Sequence, residues 1–183
     1  IMDYAHNAHG VHAMTRLTDQ LAVKGKRIAV IAAPGDRRDQ DIIDIGRAAA
    51  GHYDHYICKR DDHTRGRRGD EVPGILRQSL IDAGVDPAAI EVIEDEQAAN
   101  QAALERARAG DLVVIFVDQV ARTWKQIIYF KPADDVRQER PDLARSSTAV
   151  IETLPGSEDY APVGEIEIRQ DERGVFIAPE ESD

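Results

Sequence analysis

The 183-residue sequence predicts a doubly wound α/β fold on a mostly parallel sheet, with a C-terminal β-hairpin appended, and three observations carry that expectation. Short runs of branched apolar residues recur, stretches with helical spacing lie between them, and polar clusters follow the runs where strands give way to loops. Strand alternating with helix implies parallel strands joined by crossover helices, and the right-handed crossover places helices on both faces of the sheet.

A polar string, Asp3-Tyr-Ala-His-Asn7, stands ahead of the first helical pattern, which runs over residues 8–23. Arg27-Ile-Ala-Val-Ile-Ala-Ala33 then reads as a buried strand, followed by a helix over 39–51. His55-Tyr-Ile-Cys58 is the second strand, and the pattern over 71–83 the next helix. A further helix spans 95–109; these last two carry apolar residues at three-and-four spacing. Leu112-Val-Val-Ile-Phe-Val117 is the third strand. Beyond Pro132 the sequence becomes charged and proline-bearing, until residues 165–169 and 175–178 alternate around a turn at Asp171 to Gly174, the pattern of a hairpin. Residues 1–132 therefore read as one domain and 133–183 as an extension, with no internal repeat.

Composition narrows the function. A net charge of -11, from 34 acidic against 23 basic residues, argues against a nucleic-acid surface. No apolar run approaches the ~20 residues needed to cross a bilayer, and the start lacks the regions of a signal peptide, so the chain reads as cytoplasmic and free of membrane. The single cysteine, Cys58, excludes an internal disulfide framework and sits in an apolar run as a core thiol. Because the sequence opens on Ile1 and reaches a dense motif by Asp3, it reads as a piece of a longer protein.

Ligands of doubly wound sheets gather at the carboxyl edge of the strands, and four polar clusters are expected there. The first packs Asp3, His6 and Asn7 ahead of a helix N-terminus, where free N–H groups favour an anion and Asp3 suits a ribose hydroxyl. The alternative is that Asp3 or Asn7 merely caps the helix. His6, His9 and His12 form a ladder, but spacings of three and six drift around a helix, so no metal site is expected. Pro34-Gly-Asp-Arg-Arg-Asp39 offers a tight turn and two guanidiniums suited to phosphate or carboxylate, unless it is a surface turn with self-paired charges. It is not the dinucleotide fingerprint. The stretch Asp61 to Glu71 mixes both signs, which suits a zwitterionic amino acid and equally a solvated loop. Asp118-Gln-Val-Ala-Arg122 follows the last strand.

Taken in order, these clusters resemble the C-terminal domain of the Mur ligases. Asp3-Tyr-Ala-His-Asn7 is similar to the D-Y-A-H-x-P signature that opens that domain, with Ala8 where proline is usual. Gly35-Asp-Arg-Arg-Asp39 resembles its glycine-and-arginine loop, and Asp61-Asp-His-Thr-Arg65 stands in place of a D-D-N-P-R element that holds an incoming amino acid. Pro34 to Asp39, Thr64 to Arg67 and Trp124 to Phe130 look more like the cyanophycin-forming branch, which joins arginine to aspartate side-chain carboxylates through an acyl phosphate.

The resemblance implies a Rossmann-like domain that contacts nucleotide through Asp3, Tyr4, His6, Asn7, Gly35, Asp36, Arg37 and Arg38. It implies an amino-acid pocket shaped by Asp61, Asp62, Thr64, Arg65, Arg67 and Arg122, and assigns no catalytic residue and no metal ligand to this chain. The partners implied are ATP with magnesium, an amino acid, and an upstream central domain of the same polypeptide that holds most of the ATP and magnesium. No G-x-x-x-x-G-K-[ST] phosphate loop occurs, and Gly25-Lys26 is followed by Arg27, so the chain alone is expected to be inactive. Another Mur-type ligase, of peptidoglycan-peptide or folylpolyglutamate type, a non-catalytic binding module, and homo-oligomerisation stay open.

Overall fold

The computed structural model describes residues 1–131 and two strands at Ile168–Asp171 and Gly174–Ile177. Five strands, all parallel, lie in the order β1 (Met2–Asp3), β5 (Leu112–Phe116), β2 (Arg27–Ile31), β3 (His55–Cys58) and β4 (Ile90–Val92). Val30 is in register with Ile57 on one side and Ile115 on the other, so β2 lies in the sheet's interior, covered on both faces. That placement explains its continuous apolar run.

Five helices connect and flank the strands: α1 (Ala8–Asp19), α2 (Asp39–Ala49), α3 (Glu71–Asp82), α4 (Glu96–Arg106) and α5 (Val120–Ile128). Side chains alternate across a strand, so Ala29 and Ile31 face one way while Ile28 and Val30 face the other. The first face takes Val11 of α1, Ile42 and Ile45 of α2, and Leu76 and Leu80 of α3. The second takes Ala99 and Ala103 of α4 and Ile127 of α5. Helices on both faces make the fold doubly wound, as expected. Two strands escaped the sequence pattern, because β1 has two residues and β4 three, too few for any periodicity. The helix α5 was not anticipated either. Helical spacing over 8–23 and 95–109 overran the observed ends, at Asp19 and Arg106, because Leu21, Val23 and Ala107 extend the apolar pattern into loops.

The hairpin expected near the C-terminus appears as β6 (Ile168–Asp171) paired antiparallel with β7 (Gly174–Ile177), with Asp171 opposite Gly174. Of the residues the sequence pattern placed in the hairpin, 165–167 and 178 lie outside the described residues, as does the boundary at 132 and 133.

Helices α2 and α3 meet through a glycine. A Cβ on Gly46 would lie 1.8 Å from Ser79 Oγ, whose hydroxyl donates to the Leu76 carbonyl at 2.7 Å inside the core. Gly46→Ala should therefore cost about 1–3 kcal/mol by overpacking, although alanine favours a helix over glycine by roughly 1 kcal/mol. Adding Ser79→Ala should recover much of the loss. Equal urea midpoints for Gly46→Ala and the parent would show that the contact is not tight.

Candidate functional site

The carboxyl edge collects four loops. After β1 the chain contributes Tyr4, Ala5 and His6; after β2, Ala32, Ala33, Pro34 and Arg37; after β3, Asp61 and Arg65; and from β5 onward, Phe116, Val117 and Asp118. Together they line a cleft of about 130 Å3. All four sequence clusters thus reach one edge, for the reason that parallel strands leave their carboxyl ends side by side.

Several expected site residues build this cleft without facing it. Asp3 Oδ1 accepts the Ala5 N–H at 2.7 Å, and Asn7 Oδ1 accepts the Gly10 N–H at 2.9 Å as the N-cap of α1. The capping alternative therefore holds for Asn7 in this chain. Asn7 also joins His6, His9 and Arg37 along a neighbouring groove between α1 and α2. Tyr4 and His6 hold their rings 5.6 Å apart at a tilt of 58°. Among the described residues, no three His, Cys, Asp or Glu side chains converge on a point where a metal would sit; His9 and His12 lie on α1, and His6 precedes it.

Gly35 is needed for close approach. A Cβ there would sit 2.1 Å from the Thr64 carbonyl oxygen, so the loops after β2 and β3 touch through backbone. The turn at Thr64 is tight: Arg65 has φ 51 and Gly66 φ 93, and Arg67 N donates to Thr64 O at 3.1 Å. A left-handed arginine is uncommon and marks a constrained loop. Its guanidinium reaches across to Asp36 at 2.8 Å. Arg38, the N-cap of α2, instead pairs with Asp41 in the first turn of that helix, at 2.7 Å. Arg67 donates to the carbonyls of Gly35 and Arg37 at 2.8 and 2.6 Å and also meets Asp39 and Glu71. Arg37 lines the cleft and enters none of these pairs.

Beneath the cleft lies an ion pair. Lys59 Nζ sits 2.8 Å from Glu96 Oε2, and both side chains are fully buried. The contact is close but poorly aligned, and the ammonium has no well-formed hydrogen bond to another described group. Glu96 further accepts from the amides of Asp118 and Gln119 at 2.7 and 3.2 Å, from Thr123 Oγ1 at 3.1 Å, and from Arg122 at 3.0 Å. Arg122 in turn forks onto both oxygens of Asp62, at 2.6 and 2.8 Å. That fork holds the Asp62 carboxyl below its ordinary range and raises Arg122 further. Asp61, half-buried on the cleft wall, is shifted the other way, mainly by desolvation and against the pull of Lys59.

Burial alone would raise the Glu96 carboxyl, but Lys59 and the two amides outweigh it and hold it at about 2, against an ordinary 4.5. A depressed carboxyl stabilises the fold fully above the unfolded value and loses that contribution as the pH falls through the folded one. Stability should therefore drop between about pH 4.5 and 2, and Glu96→Gln should flatten that fall. Urea midpoints across this range decide it; an unchanged slope in the variant assigns the acid sensitivity elsewhere.

No local signal marks Glu96, which reads as an ordinary acidic residue in the first turn of a helix. Lys59 directly follows the apolar run His55–Cys58, and nothing marks a lysine in that place as buried.

Comparison with known proteins adds family context. Residues 1–116 match the family described as Mur ligase, glutamate ligase domain. The cyanophycin synthetase of Synechocystis sp. is 37% identical over 132 residues, covering 72% of this chain and 15% of that protein. That of Trichormus variabilis is 32% identical over 157 residues, covering 85% and 17%. The UDP-N-acetylmuramoyl-L-alanyl-D-glutamate--2,6-diaminopimelate ligase of Aquifex aeolicus is 30% identical over 115 residues, covering 63% and 23%. A solved structure of an enzyme with that same name superposes with a TM-score of 0.57 at 23% identity, covering 69% of this chain and 28% of its own, a likeness of fold. The chain thus spans about one-sixth of the length of the cyanophycin synthetases it matches.

Proposed function

The chain belongs to the Mur ligase, glutamate ligase domain family, and from that premise we propose that it is the C-terminal domain of an ATP-dependent carboxylate–amine ligase of the cyanophycin synthetase type. Residues 1–132 are read as that domain and 133–183 as its extension. The amine substrate is arginine, and the bond formed is an amide to an aspartate side-chain carboxylate. The observation that carries this reading is the cleft itself, where a half-buried acid, Asp61, and guanidiniums at Arg37 and Arg65 face one space.

That pattern of sign suits a cationic amino acid. Asp61 enters none of the ion pairs described above, so its carboxylate is available to a substrate ammonium or guanidinium. Arg65 and Arg37 supply donors for a carboxylate or a phosphate, which guanidinium forks bind through paired N–H groups. Tyr4 and His6 present two rings at the cleft wall that fit a nucleoside. ATP, when bound, supplies the phosphoryl group that converts the aspartate carboxylate to an acyl phosphate, from which the arginine α-amine displaces phosphate. This chain's share is to bind and orient: Asp61 holds a cationic group of the arginine, Arg65 its carboxylate, and Arg37 lies toward the phosphates. No magnesium position is assigned to the described residues, and the central domain of the same polypeptide is read as the holder of the metal and the phosphate chain.

The test uses the complete ligase polypeptide and follows ATP-dependent arginine incorporation into an aspartate-bearing acceptor. Arg65→Ala should raise the KM for arginine about tenfold, equivalent to about 1.4 kcal/mol, and move the KM for ATP much less. An unchanged dependence on arginine would remove Arg65 from the pocket. Use of a different amine by the parent enzyme would favour another Mur-type ligase.

A further inference from the structure

We propose that Glu96 is a positioning residue for the amine-substrate loop: it fixes Arg122, Arg122 fixes Asp62, and the Asp61–Arg65 loop is thereby set against Asp118. The role in substrate binding rests on the ligase reading above.

Glu96 sits on α4, on the far face of the sheet from α2 and α3, yet its carboxylate is the meeting point of the β3 and β5 exits. Neutralising Lys59 would need only one contact. Glu96 instead accepts from four further donors, all between Asp118 and Thr123. Its hold on Arg122 is then passed on, because both Arg122 Nη atoms fork onto Asp62 while the Asp62 N–H donates to Asp118 Oδ2 at 2.9 Å. Asp62 is consequently held on three sides, with both carboxylate oxygens and its amide engaged. Its neighbour Asp61 is left facing the cleft.

The geometry reassigns two residues. Asp62 and Arg122 do not offer free groups to a substrate; they belong to a frame that sets where Asp61 and Arg65 stand. A misplacement of about 1 Å in such a frame is enough to weaken binding strongly.

Two arms test this. In the complete ligase, Glu96→Gln and Arg122→Lys should each raise the arginine KM about tenfold while the ATP KM stays within about twofold, and the double variant should be no worse than the poorer single. Arg122 is partly exposed, so its lysine variant keeps the test open if Glu96→Gln fails to fold. In the 183-residue chain, Arg122→Lys should speed amide exchange of Asp62 about tenfold while the core amides of β2 keep their protection. The exchange arm needs no substrate, and a parent enzyme that ignores arginine would sink the arginine assignment without touching it. Unchanged Asp62 exchange overturns the frame; altered exchange with an unchanged arginine KM, or additive effects in the double variant, overturns its role in positioning the substrate loop.

Discussion

Lys59→Met should destabilise the chain by about 3–5 kcal/mol, the range expected when one partner of a fully buried ion pair is removed. Methionine approximates the volume of the lysine stem, so the loss measures charge and not a cavity. The carboxylate left behind keeps its two amide donors, the Thr123 hydroxyl and Arg122. Those contacts are the reason to expect less than the cost of an isolated buried ion. Urea unfolding near neutral pH measures the effect, with the midpoint moving and the slope held, since the surface exposed on unfolding does not change. Lys59→Met combined with Glu96→Leu should recover only part of the loss, because the amides of Asp118 and Gln119 then lose their acceptor. A single-variant loss under about 1 kcal/mol would mean that water reaches the pair and that the floor of the cleft is looser than it looks.

The contrast between this pair and the signature residues explains how much was legible in the sequence. The runs at Arg27–Ile31, His55–Cys58 and Leu112–Phe116 are buried on both faces, so composition alone marked them as strands. Met2–Asp3 and Ile90–Val92 are strands because their neighbours hold them there, through pairings with β5 and β3 that no local pattern encodes. The loops were legible because parallel topology sends every strand's exit to one edge. Within them, residue type did not fix the task. Tyr4, His6, Arg37, Asp61 and Arg65 line the cleft, whereas Asn7 caps a helix and Arg38 pairs with Asp41 beside it. Glu96 was invisible for a different reason. Its partners come from β3 and β5, and only the folded sheet brings those exits together.

Arg67→Lys is the sharpest test of that distinction, since a sequence reading makes Arg67 a substrate contact and the structure shows it tying loops together. Its guanidinium bonds two carbonyls, of Gly35 and Arg37, and two carboxylates, of Asp39 and Glu71, while largely shielded from solvent. A planar fork can serve all four from one place; a single ammonium cannot span them. The expected loss is about 2–3 kcal/mol, since hydrogen bonds with a charged partner contribute roughly 1.5–3 kcal/mol and several here are shared. The carbonyls released belong to the loop that carries Arg37, and Gly35 in that loop packs directly on Thr64. Loosening it should therefore disturb the nucleotide and amino-acid sides of the cleft together. In the complete ligase both KM values should rise for Arg67→Lys, where Arg65→Ala moves chiefly the arginine value. If instead Arg67→Lys left the unfolding midpoint unchanged and raised the arginine KM alone, Arg67 would be a ligand of the substrate and its four protein contacts would be dispensable.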